Sequence, residues 1–308
     1  MRLPEELQFI QNSRLPQHTT DARLDGKLCV ITGTTSGIGY ETARLLAAGG
    51  ANLVMVCRNR QKAELVQQQI IAEQGVQVDV VIADFQKLAE VRRAACEIRD
   101  RHDRIDLLIN NIGVFDKRRR LTADGFEMTY GVDHLASFLF TRLLVDRLVA
   151  GAPARVIYIS SEAHRFGGFN INDVHWQKRP YIGLLAYGAA KIAQMHTAML
   201  LASQLSDEGV DVNVMHPGAV QSNIGMNNGI FYRLYKQYIL RWFLKETAHS
   251  AQAIYYLAVD PALQGVTGKY FNLTIEEKPA WYAFKPELSQ RVWEQSEIFI
   301  QPYLEEKL

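Results

Sequence analysis

The chain has little of what would mark it as secreted, metal-bound or nucleic-acid-binding. Its 308 residues include three cysteines, Cys29, Cys57 and Cys96, none in a CxxC pair. Neither a disulfide framework nor a zinc site is indicated, and the cytoplasm is the expected compartment. Excess charge of one sign is also lacking: 34 Lys and Arg stand against 33 Asp and Glu, a formal charge of +1. That balance excludes a whole-molecule basic face for nucleic acid. No apolar run reaches the ~18 residues that a membrane span needs. Glu5, Glu6, Asp21 and Asp25 fall where a signal peptide would be continuously apolar. The eight histidines lack paired ligand spacing, so His134, His164 and His216 read as structural and no metal is assigned. Repeats, low-complexity tracts and Pro/Gly-rich linkers are missing too, which leaves one domain.

What is present is a 48% hydrophobic composition, enough for a sizeable core, arranged in a telling order. Short Val/Ile/Leu runs at Leu28–Ile31, Leu53–Cys57, Val76–Ala83, Ile105–Ile109, Val156–Ile159 and Val210–Met215 read as strands covered on both faces. Between or after them, Glu41–Ala48, Gln61–Glu73, Leu88–Arg101, Phe126–Val149, Tyr187–Leu205 and Thr247–Ala258 read as packed helices. The alternation gives an α/β fold, a doubly wound parallel sheet with helices on both faces.

The first strand runs directly into Thr32-Gly33-Thr34-Thr35-Ser36-Gly37-Ile38-Gly39, and a helix follows. Glycines opening a helix after a buried strand turn backbone N–H groups and the helix dipole toward a pyrophosphate. Gly33, Thr35, Ser36, Gly37, Ile38 and Gly39 are therefore candidate cofactor contacts. The spacing is Gly-x3-Gly-x-Gly, and here the chain resembles the short-chain dehydrogenase/reductase family, whose domain is of Rossmann type. The second strand ends in Arg58-Asn59 at the place where an NAD site puts an acid. A guanidinium can pair with a 2′-phosphate that an acid would repel, so NADP(H) is the expected cofactor, with Arg58 and Asn59 beside it. The resemblance implies adenine-side contacts at Asp84, Phe85, Asn111 and Gly113, with Ile112 in place of the usual alanine. It implies a nicotinamide-side loop at Pro217, Gly218, Val220 and Ser222.

Tyr187 and Lys191 are four apart on a helix, so they share a face and an ammonium can stabilise a developing phenolate. Tyr232 and Lys236 repeat the spacing, but only Tyr187 follows a strand ending in Ser160-Ser161 and precedes His216-Pro217-Gly218, the order the resemblance requires. In that reading Tyr187 is the proton donor in reduction and the base in oxidation. Lys191, with a cationic nicotinamide, lowers its pKa and holds the ribose, and Ser161 bonds the substrate oxygen. The family's helix asparagine is Asp133 here, within Asp133-His134-Leu135-Ala136-Ser137-Phe138. An aspartate either holds the same backbone kink or adds a charge that disturbs Tyr187, which leaves an NADP(H)-binding sensor or scaffold with little turnover as the alternative. A nucleotide-sugar epimerase is disfavoured because no substantial substrate domain follows Asn272.

The 25 residues between Ser161 and Tyr187 include Phe166, Phe169, Trp176 and Tyr181, and with Ser160-Ser161-Glu162-Ala163-His164 they resemble the retinol dehydrogenase-like branch. The substrate implied is a lipophilic carbonyl or secondary alcohol. Residues 230–245 mix aromatic and basic side chains with no acid, which suits a substrate lid or a surface resting on a membrane. Lys117-Arg118-Arg119-Arg120 reads as a solvated loop before an anion-attracting one. The divisions expected are an N-terminal extension over 1–25, flexible or docked, a catalytic domain over 26–300 with a lid region at 219–246, and a tail at 301–308. A final helix bearing Trp293 and Ile298 reads as docked core or dimer contact, and a homo-oligomer is expected.

Overall fold

A computed structural model describes residues 12, 15–218, 247–283 and 285–305. Eight strands form one sheet in the order β3-β2-β1-β4-β5-β6-β7-β8. They are β1 Leu28–Thr32, β2 Asn52–Cys57, β3 Val78–Ile82, β4 Leu107–Asn110, β5 Ala154–Ile159, β6 Val210–His216, β7 Tyr270–Asn272 and β8 Ile275–Glu276. All pairs are parallel except β7 with β8. The six expected strands are present, trimmed at β3 and β4, and the last two are additions. The helices are α1 Gly37–Ala48, α2 Arg60–Gln74, α3 Leu88–Arg101, α4 Ser137–Ala150, α5 Gly183–Leu205, α6 Thr247–Val259 and α7 Pro286–Glu305.

Strand alternation sorts the core into two layers, because successive side chains leave opposite faces of a sheet. Val30, Val54, Leu108, Val156 and Val212 point to the layer that holds α3, α4, α5 and α7. Cys29, Ile31, Leu53, Met55, Ile109 and Ile157 point to the layer of α1, α2 and α6. All three cysteines are buried and free.

Two expected boundaries are corrected. The uninterrupted helix over Phe126–Val149 is instead a short bridge from Leu121 to Glu127, a π-helical stretch at Tyr130–Ala136, and then α4. α7 runs to Glu305, so a domain edge at 300 would cut a continuous helix. The described part of the N-terminal extension is docked: His18 donates its backbone N–H to Thr274 Oγ1, and Asn12 donates to the Glu277 carboxylate. No described helix is long and apolar enough to cross a membrane.

Candidate active site

The strand order reverses between β1 and β4, and the crevice beyond the carboxyl ends of such strands is where open parallel sheets take ligands. A cleft of about 280 Å³ opens there, lined by Gly33, Thr35, Ser36, Gly37, Ile38, Gly39, Arg58, Asn111 and Gly113 among others. Gly33 sits at φ +75°, a left-handed value that a side chain would strain. A Cβ on Gly39 would run into the Gly33 carbonyl and lie 2.5 Å from Asn111 Nδ2. Ser36, at the N-cap of α1, makes no side-chain cap bond. The first N–H groups of α1 thus face the cleft without a side-chain cap, the donor set that a pyrophosphate takes. The cleft fits a dinucleotide on this ground.

The expected cofactor residues divide by what they do. Arg58 is exposed on the cleft rim. Asn59 caps α2, its side chain accepting from the Lys62 N–H at 2.9 Å. Asn111 braces the glycine loop, donating to the carbonyls of Thr32 (2.8 Å) and Gly33 (3.2 Å). Asp84 accepts from the Gln86 N–H at 3.1 Å and does not line the cleft, whereas Gln86 does. The Phe85 ring is buried against Phe140 in the core, so only its backbone is available to a ligand. Pro217 is tied down by Ser250, which donates to its carbonyl, and Gly218 packs beside Leu273. Val220, Ser222, the 219–246 lid region and the pair Tyr232 and Lys236 lie outside the described residues. Sequence reasoning missed Gln86 and Met128, both on the cleft wall. Gln86 was two positions from a nominated acid, and Met128 carried no signal beyond an apolar helix start.

The catalytic set converges. α5 begins at Gly183, four residues earlier than expected, so Tyr187 and Lys191 stand on its second and third turns. Lys191 is 2% exposed, donates to the Ile159 carbonyl at 2.9 Å at the end of β5, and holds its ammonium 5.6 Å from the centre of the Tyr187 ring. Ser161 follows β5, accepts from the Ala163 N–H at 3.1 Å, and its hydroxyl is near enough to the Tyr187 phenol to pull its proton affinity down. Ser160, by contrast, is buried behind it. A Cβ on Gly113 would sit 3.6 Å from Lys191 Nζ and 3.2 Å from Asp133 Oδ2. Gly113 is therefore the thin wall between cleft and catalytic set.

Asp133 lies in the π-helical stretch, fully buried, and its Oδ1 accepts from the Val114 N–H at 2.7 Å while Oδ2 is 3.3 Å from Lys191 Nζ. The widened turn frees its backbone carbonyl to accept from Gln194 Nε2 and Ser137 Oγ, both at 2.8 Å. Such bulges recur at functional sites. Burial pushes the Asp133 carboxyl up to about 6, against the pull of Lys191. Burial also pushes the Tyr187 phenol above its ordinary value, the Asp133 carboxylate adds to that, and the Ser161 hydroxyl offsets part of it. In the protein alone the phenol thus moves opposite to the lowering expected of Lys191, because burial disfavours the phenolate and the nearby carboxylate disfavours it further.

Most of the other nominated residues are engaged in packing or hydrogen bonds. Trp176 is buried and stacked by the Arg179 guanidinium at 3.6 Å, and Tyr181 donates to Glu127 at 3.0 Å. Phe169 is half-buried against the core while Phe166 is exposed. Arg119 donates to the His175 carbonyl and Arg120 forks onto Asp116. His134, His164 and His216 are engaged with Ser296, the Ser161 carbonyl and the Glu162 N–H respectively. Trp293 is docked, and Ile298 is exposed. Among the described residues no group of His, Cys, Asp and Glu could hold a metal ion.

The model of the family described as short chain dehydrogenase matches residues 27–231. The chain belongs to that family. Human retinol dehydrogenase 13 is 38% identical to this chain over 280 residues, which cover 89% of it and 85% of that relative. Mouse retinol dehydrogenase 12 is 36% identical over 89% of this chain and 86% of its own. Among solved structures, an uncharacterized protein from Mycobacterium paratuberculosis is 28% identical with a TM-score of 0.73, covering 93% of this chain and 98% of that one. A blue fluorescent protein from a metagenomic library, solved with NADPH, is 26% identical with a TM-score of 0.65 over 81% of this chain and 96% of its own. The chain is thus an oxidoreductase of the retinol dehydrogenase-like branch, a family built around a nicotinamide cofactor.

Proposed function

We propose that the protein is an NADP(H)-dependent oxidoreductase that interconverts the carbonyl and secondary alcohol of a mainly apolar small molecule, with Tyr187 as its acid and base. The observation that carries this reading is the contact across Gly113: Lys191, and through it Tyr187 and Ser161, backs directly onto the wall of the cleft. Bound NADPH would supply a hydride to the carbonyl carbon. Ser161 orients the carbonyl oxygen with its hydroxyl, and Tyr187 donates the proton that this oxygen requires as charge develops. Lys191 faces both the tyrosine ring and the cleft wall, where a ribose hydroxyl would meet its ammonium. The first N–H groups of α1 would hold the pyrophosphate, and Arg58 on the rim would pair with the 2′-phosphate.

An apolar substrate is supported by the Phe115 ring, set edge-on to Tyr187 at 5.9 Å, and by the names of the relatives, which are dehydrogenases of a lipophilic alcohol. A screen of NADPH oxidation over ketones, aldehydes, quinones and lipid-like enones tests the reading. Turnover of an apolar carbonyl, dependent on NADPH in preference to NADH, is expected. NADPH binding without hydride transfer to any of them would favour the sensor alternative.

A further inference from the structure

The buried pair of Asp133 and Lys191 stands beside the Tyr187 ring. An ammonium near a phenol favours phenolate, but its field is largely cancelled when a carboxylate closes to ion-pair distance in a place without water. Here Asp133 is fully buried and Lys191 nearly so, and Oδ2 stands 3.3 Å from Nζ. The carboxylate is held in place, because Oδ1 is fixed by the Val114 N–H and the carbonyls of Asp133 and His134 are held by Ser137 and Gln194. The titratable groups that face Asp133 are Lys191 and Tyr187 from α5 and Glu127 from the segment before the π-helical stretch. Glu127 adds a second negative group to the surroundings, bound to the N–H groups of Thr129 and Tyr130.

We propose that Asp133 compensates the charge of Lys191 and thereby keeps Tyr187 protonated, so that the enzyme reduces carbonyls at neutral pH and oxidises alcohols only under alkaline conditions. Asp133 touches neither substrate nor cofactor in this scheme and is a positioning residue acting through Lys191. In reduction, hydride forms the new C–H bond, the carbonyl π pair moves to oxygen, and that oxygen takes the Tyr187 proton. The phenolate left behind regains a proton from water, the more completely the higher its proton affinity. Oxidation reverses each step and needs the phenolate at the start. An asparagine in place of this aspartate would leave the ammonium uncompensated and favour that phenolate, so the difference belongs to this chain's own carboxylate. The inference rests on Tyr187 being the acid and base.

The test follows Tyr187 by isotope-edited NMR of the tyrosine ring carbons in the NADP+ complex, its signal assigned with Tyr187→Phe. In the unsubstituted protein the signal should show a small inflection near pH 6, where burial places the Asp133 carboxyl, and no ionisation near neutrality. Asp133→Asn should erase that inflection and lower the pH of phenol ionisation by about one unit or more. Oxidation of an alcohol should then rise about tenfold at a fixed pH on its alkaline limb. Ser137→Ala loosens the same turn but leaves the carboxylate, and should move neither. A Tyr187 titration that is identical in the unsubstituted protein and in Asp133→Asn, or that shifts equally in Ser137→Ala, overturns the proposal. If Asp133→Asn does not fold, ionisation of Tyr187 near neutrality in the unsubstituted protein overturns it as well. Loss of turnover in Tyr187→Phe with an unchanged titration in Asp133→Asn sinks this inference alone, whereas full turnover in Tyr187→Phe sinks the acid/base assignment beneath it.

Discussion

Thr32 and Asn111 clasp one another at the carboxyl ends of β1 and β4. The Thr32 hydroxyl accepts from the backbone N–H of Asn111 at 2.9 Å, and the Asn111 amide donates to the Thr32 carbonyl at 2.8 Å and to Gly33 at 3.2 Å. This reciprocal brace fixes the glycine loop against the neighbouring strand, with Gly39 pressed against Gly33 and Asn111. The loop is therefore set before any ligand arrives, which reduces the ordering cost of binding.

Gly39→Ala tests that brace. The added methyl has no free space beside the Gly33 carbonyl and Asn111, so the loop must shift. Overpacking of this kind costs about 1–3 kcal/mol. A lowered melting temperature and an NADPH affinity reduced at least about tenfold are expected by thermal denaturation and by fluorescence titration. Unchanged affinity would mean that the loop does not hold the cofactor.

The proposed preference for NADP(H) rests on Arg58, on the cleft rim. A charge-assisted hydrogen bond contributes about 1.5–3 kcal/mol, so Arg58→Ala should weaken NADPH binding about 10- to 100-fold and leave NADH nearly unchanged. Titration of both nucleotides against both proteins reads this directly. Equal affinities in the unsubstituted protein would remove the 2′-phosphate from the account.

Buried imidazoles make the fold sensitive to acid. Burial lowers His134 to about 3 and His164, His196 and His216 to about 4, from an ordinary 6.5. A base depressed in the folded state binds its proton only on unfolding, so its contribution is whole above pH 6.5 and is lost as pH falls toward 4. Each such histidine steepens the loss by about 1.4 kcal/mol per pH unit within that window. Asp133, raised to about 6, runs the other way between about 6 and its ordinary 3.8, because the folded protein binds the extra proton there. Urea unfolding at successive pH values should show stability falling steeply below pH 6.5. His196→Asn, whose amide can keep the bond to Ser289, should make that slope shallower by about one proton. A flat profile across the window would contradict the buried, neutral assignment.

The sheet and the glycine loop were legible because both are written locally. Continuous apolar runs mark buried parallel strands, and the glycine spacing marks a turn into α1. β7 and β8 were not legible, since strands of three and two residues carry no period. The π-helical stretch was hidden because Tyr130–Ala136 is buried throughout and its apolar pattern fits any helix. What widens the turn there is Asp133 reaching across to Val114, a long-range contact. The packing roles of Trp176 and Tyr181 were not legible because sequence shows only aromatic character. It does not show that Arg179 and Glu127 arrive to bind them. The same limit hid the ion network in which Arg165 bridges Glu162 and Glu277 behind Ser161, joining residues more than a hundred positions apart.

Tyr187 stands at the centre of the account, and its role is tested most directly by a single-turnover experiment with NADPH deuterated at the nicotinamide carbon that gives up hydride. The unsubstituted protein should pass the deuterium to the carbonyl carbon of an apolar ketone or aldehyde. Tyr187→Phe should bind NADPH as tightly yet transfer deuterium about 10²–10⁴-fold more slowly. Equal transfer rates in the two proteins would contradict the assignment of Tyr187, and absence of transfer to any carbonyl by the unsubstituted protein would contradict the oxidoreductase mechanism as a whole.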